Sequence, residues 1–107
     1  MKSESNILAE IRLALSPRAR LFRQQVGRFW TEDHRPVYVG MKGTPDLIGY
    51  TIVDGRGIYT AIEVKSEIGG VRPEQQMFIN AVIKNGGLAG VARSVEDALI
   101  ICGLDKK

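Results

Sequence analysis

The segment from Asp46 to Lys65 constrains the fold most, because its pattern predicts two β-strands joined by a tight turn. Residues 46–53 and 58–65 are rich in Ile, Val, Thr and Tyr, which favour strands. The four residues 54–57, Asp-Gly-Arg-Gly, tolerate the positive φ of a hairpin turn. Because a hairpin brings its outer ends together, we expect Asp46 to lie beside Glu63.

The second strand of this hairpin carries an acid and a base on one face. Side chains alternate along a strand, so Glu63 and Lys65 share a face, about 7 Å apart. Paired carboxylates are hard oxygen ligands suited to Mg²⁺ or Mn²⁺, and we predict Asp46, Glu63 and the backbone carbonyl of Val64 as metal ligands. Lys65 would hold the attacking water or stabilise charge on a phosphoryl group. Taken singly, Glu63 and Lys65 are also compatible with a surface ion pair, and Asp46 with a turn cap.

Two predicted helices add polar side chains on apolar faces. Glu4 precedes Ile7 by three positions in a first helix, which places it on the apolar side. Pro73 opens a second helix, in which Gln75 stands three positions before Phe78. Glu4 and Gln75 therefore join the candidate catalytic set, and Glu4 also joins the candidate metal ligands. Their plainer roles would be to complement the helix dipole and to bond to backbone at the helix start.

Positive charge is concentrated in the first part of the chain. Residues 1–42 contain eight Lys or Arg against four Asp or Glu, although the net charge of the whole chain is only +3. Arginines without nearby acids suit a phosphate backbone, or simply form a solvated basic face. The candidate nucleic-acid contacts among the basic residues are Arg18, Arg20, Arg23, Arg28, Lys42 and Arg72.

The predicted order of elements is helix, strands, helix, strand, helix, within one domain spanning 1–107. The strand–helix–strand passage over 58–92 predicts a right-handed parallel crossover, hence an α/β fold with a small mixed sheet flanked by helices. Residues 27–45 are predicted to form a long loop with a single strand at 37–39. No apolar run reaches the ~20 residues of a membrane span, so we expect an intracellular protein without a membrane partner. Cys102, the sole cysteine, lies in an apolar stretch and is predicted to be buried.

The combined motifs resemble a known group of nucleases. Gly43-x-Pro45-Asp46, Glu63-x-Lys65, Gln75 at a helix start and a helical Glu4 resemble the PD-(D/E)xK nuclease superfamily, and within it the VRR-NUC (virus-type replication-repair nuclease) family. The resemblance implies a restriction-endonuclease-like αβββαβ core and Mg²⁺- or Mn²⁺-dependent cleavage of DNA. It also implies that the acids and the Val64 carbonyl bind metal, that Lys65 is the catalytic lysine, and that Gln75 is the helix glutamine. Gln25, in preference to Gln24, resembles an amide that follows an arginine in similar proteins, and Gln25 joins the candidate nucleic-acid contacts.

The resemblance also carries expectations about partners. Small stand-alone members resemble phage-encoded nucleases that would act in the host cytoplasm as homodimers on four-way (Holliday) junctions. A two-fold dimer offers two symmetric sites for the two strands of a symmetric substrate. Two alternatives stay open at this point: a DNA-binding module that does not cut autonomously or needs a partner protein, and a nuclease directed at RNA.

Overall fold

The computed structural model describes residues 2–24 and 27–105 and contains three helices and six strands in that part of the chain. The helices are α1 (Glu4–Leu15), α2 (Pro73–Lys84) and α3 (Val95–Cys102). The strands are β1 (Ala19–Arg23), β2 (Gly27–Trp30), β3 (Pro36–Val39), β4 (Leu47–Val53), β5 (Arg56–Val64) and β6 (Leu88–Ala92).

The main sheet has the strand order β1-β4-β5-β6. Strand β4 pairs antiparallel with both β1 and β5, whereas β6 pairs parallel with β5 after the crossover through α2. Asp54 and Gly55 make the turn between β4 and β5, with φ of 50° and 76°. The turn is therefore two residues long rather than the predicted four, and β5 begins at Arg56 instead of at residue 58. The mixed α/β fold is confirmed, and the order α1, β1, β4, β5, α2, β6 is compatible with a small restriction-endonuclease-like core.

The main core lies between one face of the sheet and helices α1 and α3. Ile11 and Leu15 of α1 pack there with Leu47 and Ile62 of the hairpin, and Cys102 is buried among them as predicted. Ile62 and Val64 point into this core, so Glu63 between them points to the opposite face, which α2 covers. Within the described ranges, no helix is both long and apolar enough to cross a membrane.

Within residues 27–45 the predicted strand at 37–39 is confirmed as part of β3, but the prediction of loop elsewhere missed β2, which pairs with β3 as a separate two-stranded ribbon. Its turn contains no glycine, so the usual hairpin signal is missing from the sequence. Thr31 closes the turn instead: its N–H donates to Arg35 O (2.9 Å) and its Oγ1 accepts from Arg35 N (3.0 Å). His34 supplies the positive φ, 64°.

Candidate active site

Asp46 is fixed where the β4–β5 hairpin opens. The register pairs Leu47 with Ile62, so Asp46 lies one step beyond the last pair and next to Glu63, as the sequence predicts. Its backbone carbonyl accepts from Gln24 N at 2.7 Å. Its side-chain Oδ2 accepts from Val64 N at 3.0 Å, which holds the carboxylate against the strand that carries Glu63.

The Gly-Thr-Pro sequence before Asp46 brings the chain tightly against α2. Gly43 has a φ of +90°, and a Cβ built there would lie 2.6 Å from the backbone oxygen of Glu74. Only glycine satisfies both the backbone conformation and this close approach. Pro45 is fully buried directly before Asp46. The motif therefore has a packing role, because it holds Asp46 near the first turn of α2.

Glu63 is a buried carboxylate with two direct donors. The residue is only 3% exposed, and its Oε2 lies 3.3 Å from Lys65 Nζ and accepts from Gln75 Nε2 at 3.0 Å. The side chain of Lys65 is 11% exposed, so the Glu63–Lys65 contact is a buried ion pair rather than the surface pair that a Glu-x-Lys triplet in a strand normally forms.

Burial and a second carboxylate control the charge of Glu63. Desolvation raises the pKa of Glu63 most, the negative charge of Asp46 raises it further, and Lys65 partly opposes both, which leaves the pKa at about 7. The buried carboxylate of Glu63 and the half-buried carboxylate of Asp46 repel each other when both are ionised. A bound cation would relieve that repulsion, so the pair fits a positively charged ligand.

Gln75 is buried, as predicted, and its amide bonds both to the backbone at the start of its own helix and to Glu63. Its Oε1 accepts from the backbone N–H of Arg72 at 2.9 Å and so caps the start of α2. Its Nε2 is then free to turn toward Glu63, where it donates to Oε2. The cap therefore sets the orientation of the amide, and the amide holds the carboxylate.

Glu4 does not follow the prediction of burial, because its side chain is exposed at the first residue of α1. That end of the helix extends beyond the packed face to which Ile7 belongs. A Cβ built on Gly69 would lie 3.4 Å from Glu4 Oε2 and 3.3 Å from Lys65 Cδ, so Glu4 approaches the lysine side of the site. No group of three or more His, Cys, Asp or Glu side chains in the described residues is arranged to hold a metal, so Glu4 does not form a compact cluster with Asp46 and Glu63.

A pocket of about 380 Å³ opens over the two acids. Among the predicted nucleic-acid contacts, Arg23, Lys42 and Arg72 line it. Arg28 lies on the ribbon, whereas Arg18 and Arg20 lie toward the opposite end of β1 and do not line the pocket. Gln25 falls outside the described residues.

Five residues of this pocket were not among the predicted site residues: Gln24, which was placed behind Gln25, and Phe29, Gly43, Thr44 and Glu74. Gln24 and Thr44 flank elements that were predicted to reach the site, so their neighbours in sequence were the available signal. Glu74 stands beside Gln75 in the first turn of α2. Phe29 had no such signal, because its strand was interpreted as loop.

The fold and the pocket together define a class of protein: a small α/β domain compatible with the restriction-endonuclease-like core, with two acids and a lysine where a hairpin opens. The VRR-NUC domain model matches residues 9–96, and the chain therefore belongs to the VRR-NUC family of nuclease-type domains, for which DNA is the implied substrate. Asp46, Glu63, Lys65 and Gln75 all lie inside the matched range, and Glu4 lies outside it. No curated protein matches the chain at a significant level.

Proposed function

We propose that this protein is a Mg²⁺- or Mn²⁺-dependent, structure-selective DNA endonuclease that acts as a homodimer on four-way junctions. The observation that carries the proposal is the position of Glu63, buried between Asp46, Lys65 and Gln75 at the base of a pocket with a basic rim. A domain that only binds DNA has no use for two repelling carboxylates of which one is buried.

The donor set of the pocket fits a hard divalent cation. Asp46 and Glu63 supply carboxylate oxygens from adjacent strand ends, and the Val64 carbonyl would add a third ligand. When bound, such an ion supplies Lewis acidity and lowers the pKa of its water. Glu4 approaches from the lysine side and would complete the site only through a water or a change of rotamer.

The residues of the chain prepare the site for an anionic substrate. Val64 N–H and Gln75 Nε2 hold the two carboxylates in fixed orientations, so little reorganisation is needed when a phosphodiester arrives. Lys65 places a cation in a mostly buried position, where it would stabilise the negative charge that develops on the phosphoryl oxygens as water adds and one P–O bond breaks. Arg23, Lys42 and Arg72 at the rim would hold the flanking phosphates.

An uncovered apolar area of the main sheet supports the homodimer. Phe22 pairs with Ile48, and Tyr50 pairs with Tyr59, so these residues share the face of the sheet that α2 only partly covers. Phe22, Tyr50, Ile52 and Tyr59 are each between 43% and 55% exposed. We expect Phe22→Glu to convert a dimer into a monomer in light scattering, whereas Ile100→Glu on α3 should leave the mass unchanged.

Cleavage of matched substrates tests the proposed activity. An end-labelled four-way junction is incubated beside linear duplex, single strand and flap in Mg²⁺, in Mn²⁺ and in EDTA. We expect paired nicks at the branch point that require the metal. Preferred cutting of flaps or single strands would overturn the junction assignment, and cutting of a matched RNA junction at the DNA rate would overturn DNA selectivity. Junction binding in EDTA without any product in Mn²⁺ would overturn the activity and favour a binding module.

A further inference from the structure

The ribbon formed by β2 and β3 has two different faces. The register pairs Arg28 with Tyr38 and Trp30 with Pro36, and paired residues in a ribbon lie on the same side. We call the side with Arg28, Trp30 and Tyr38 the aromatic face. Trp30 is 59% exposed and Tyr38 is 73% exposed, so this face presents two open rings to solvent.

Arg28 adds a positive charge to the aromatic face. Its guanidinium lies 4.9 Å from the ring centroid of Trp30, and no described residue forms a salt bridge with it. A planar cation beside two aromatic rings is the combination that stacks on nucleobases while it attracts phosphates. The uncovered area of the main sheet differs, because it includes aliphatic Ile52 among its rings.

The position of the ribbon connects this face to the candidate active site. The chain enters β2 after Arg23 and Gln24 and leaves β3 before Lys42 and Gly43, and all four residues line the pocket over Asp46 and Glu63. Phe29, on the other side of β2, also lines that pocket. Nucleic acid whose phosphate occupies the pocket would therefore lie on the Phe29 side of the ribbon, and the aromatic face would meet bases that pass around the edge of the ribbon.

We propose that the aromatic face is a stacking platform for nucleobases whose faces are uncovered, as they are at a branch point or in a single strand. This inference rests on the proposed function and adds to it a physical basis for selecting branched DNA. In a continuous duplex every base is covered by its neighbours, so the platform gains stacking only where the helix is interrupted.

Trp30 is the only tryptophan of the chain, so intrinsic fluorescence reports on the platform directly. Wild-type protein in EDTA is titrated with a four-way junction, a single strand and a relaxed closed-circular duplex at equal nucleotide concentration. We expect saturable quenching of Trp30 emission by the junction and the single strand, and little quenching by the closed duplex. Unchanged emission on binding of the junction would overturn the proposal.

Substitutions show whether junction binding depends on the aromatic rings themselves. Trp30→Ala and Tyr38→Ala should each weaken junction binding roughly 5- to 100-fold, with little effect on closed duplex. Trp30→Phe should restore most of the binding, and Ile100→Ala, which removes another exposed apolar side chain, should bind like wild type. Junction binding by Trp30→Ala at the wild-type affinity would overturn the platform. So would a Trp30 emission that changes with protein concentration without DNA, because a second copy would then cover this face.

Parallel cleavage assays distinguish the two proposals. Metal-dependent cutting of the junction without any change in Trp30 emission would support the endonuclease proposal and overturn the stacking platform. Quenching of Trp30 emission by the junction without cutting in any metal would support the stacking platform and overturn the endonuclease proposal.

Discussion

Gln75 donates from Nε2 to Oε2 of Glu63 at 3.0 Å, and its own Oε1 accepts from the backbone N–H of Arg72, the residue directly before α2. One amide therefore joins the cap of a helix to a buried carboxylate. The orientation of Glu63 is therefore linked to how α2 begins, because the same Gln75 side chain that caps the helix with Oε1 donates to the acid with Nε2.

Removal of this amide should damage both stability and activity. Gln75→Ala removes the partner of Arg72 N–H and one of the two donors to Glu63 Oε2, which keeps only Lys65 Nζ among its described donors, and we expect a loss of about 1–3 kcal/mol in the free energy of unfolding. Cleavage should fall about 10- to 100-fold, as it does when a residue that orients a metal ligand is lost. The control is Gln76→Ala, an exposed residue whose side chain bonds to Asn80 within α2 and which should change stability by less than about 0.5 kcal/mol. Equal behaviour of the two variants in urea unfolding and in cleavage would contradict the account.

The elevated pKa of Glu63 predicts an unusual pH dependence of the metal-free protein. The pKa is about 7 in the folded state against 4.5 for the free side chain, so the folded state binds the proton more tightly than the unfolded state does. Stability from this group is therefore present at low pH and is lost as pH rises from about 4.5 through 7. We expect the melting temperature of wild type in EDTA, measured relative to Glu63→Gln, to fall over that range. A relative melting temperature that rises with pH would contradict the raised pKa of Glu63.

The affinity of the protein for a metal ion should also depend on the protonation of Glu63. Because a proton on Glu63 competes with the cation, Mn²⁺ should bind more weakly as pH falls below about 7, and Mn²⁺ should stabilise the protein more at pH 8 than at pH 5.5. Calorimetric titration with Mn²⁺ at the two pH values measures this difference. Affinity that is independent of pH would place the cation away from Glu63.

Lys65 should affect both the charge of Glu63 and the reaction. Its ammonium lowers the pKa of Glu63, so Lys65→Met should shift the titration of that carboxyl above 7. If Lys65 also stabilises the transition state, cleavage should fall about 100- to 1,000-fold while the junction still binds. Lys84→Met, on the exposed last turn of α2, is the matched control. A Lys65→Met enzyme with the wild-type single-turnover rate would exclude a catalytic role for the ammonium.

Two glycines with positive φ should differ sharply when replaced. Gly55→Ala meets no atom within 4 Å, so only the cost of about 1–2 kcal/mol for the left-handed backbone is expected, without loss of cleavage. Gly43→Ala carries the same strain and also forces its Cβ against the Glu74 carbonyl, which adds about 1–3 kcal/mol and moves α2 away from Asp46. Chemical denaturation and cleavage of both variants measure the difference. Equal losses would mean that the contact between Gly43 and Glu74 has no role in the site.

The sequence predicted the structure correctly where a short local pattern is compatible with a single backbone geometry. Asp54-Gly55 predicted the hairpin, and the hairpin placed Asp46 beside Glu63. Pro73 predicted where α2 begins. In each case neighbours within a few positions determine the backbone.

The sequence was not sufficient where the outcome depends on distant packing. The β2–β3 ribbon closes through the Thr31 side chain rather than through a glycine turn, so its first strand was interpreted as loop. Glu4 has the spacing of a buried residue, but it occupies the first position of α1, where the helix extends past the core. The burial of the Glu63–Lys65 pair depends on α2, which lies across the sheet from the apolar core and follows later in the chain.

The most direct test of the central claim, that Asp46 and Glu63 form a metal-dependent cleavage centre, compares one substitution at the two ends of the same hairpin. Asp46→Asn removes a negative charge at the pocket, and Asp54→Asn removes one at the distant turn, where asparagine also tolerates positive φ. Single-turnover cleavage of a four-way junction in Mn²⁺ should be abolished in Asp46→Asn and unchanged in Asp54→Asn. Cleavage by Asp46→Asn at the wild-type rate would contradict the account.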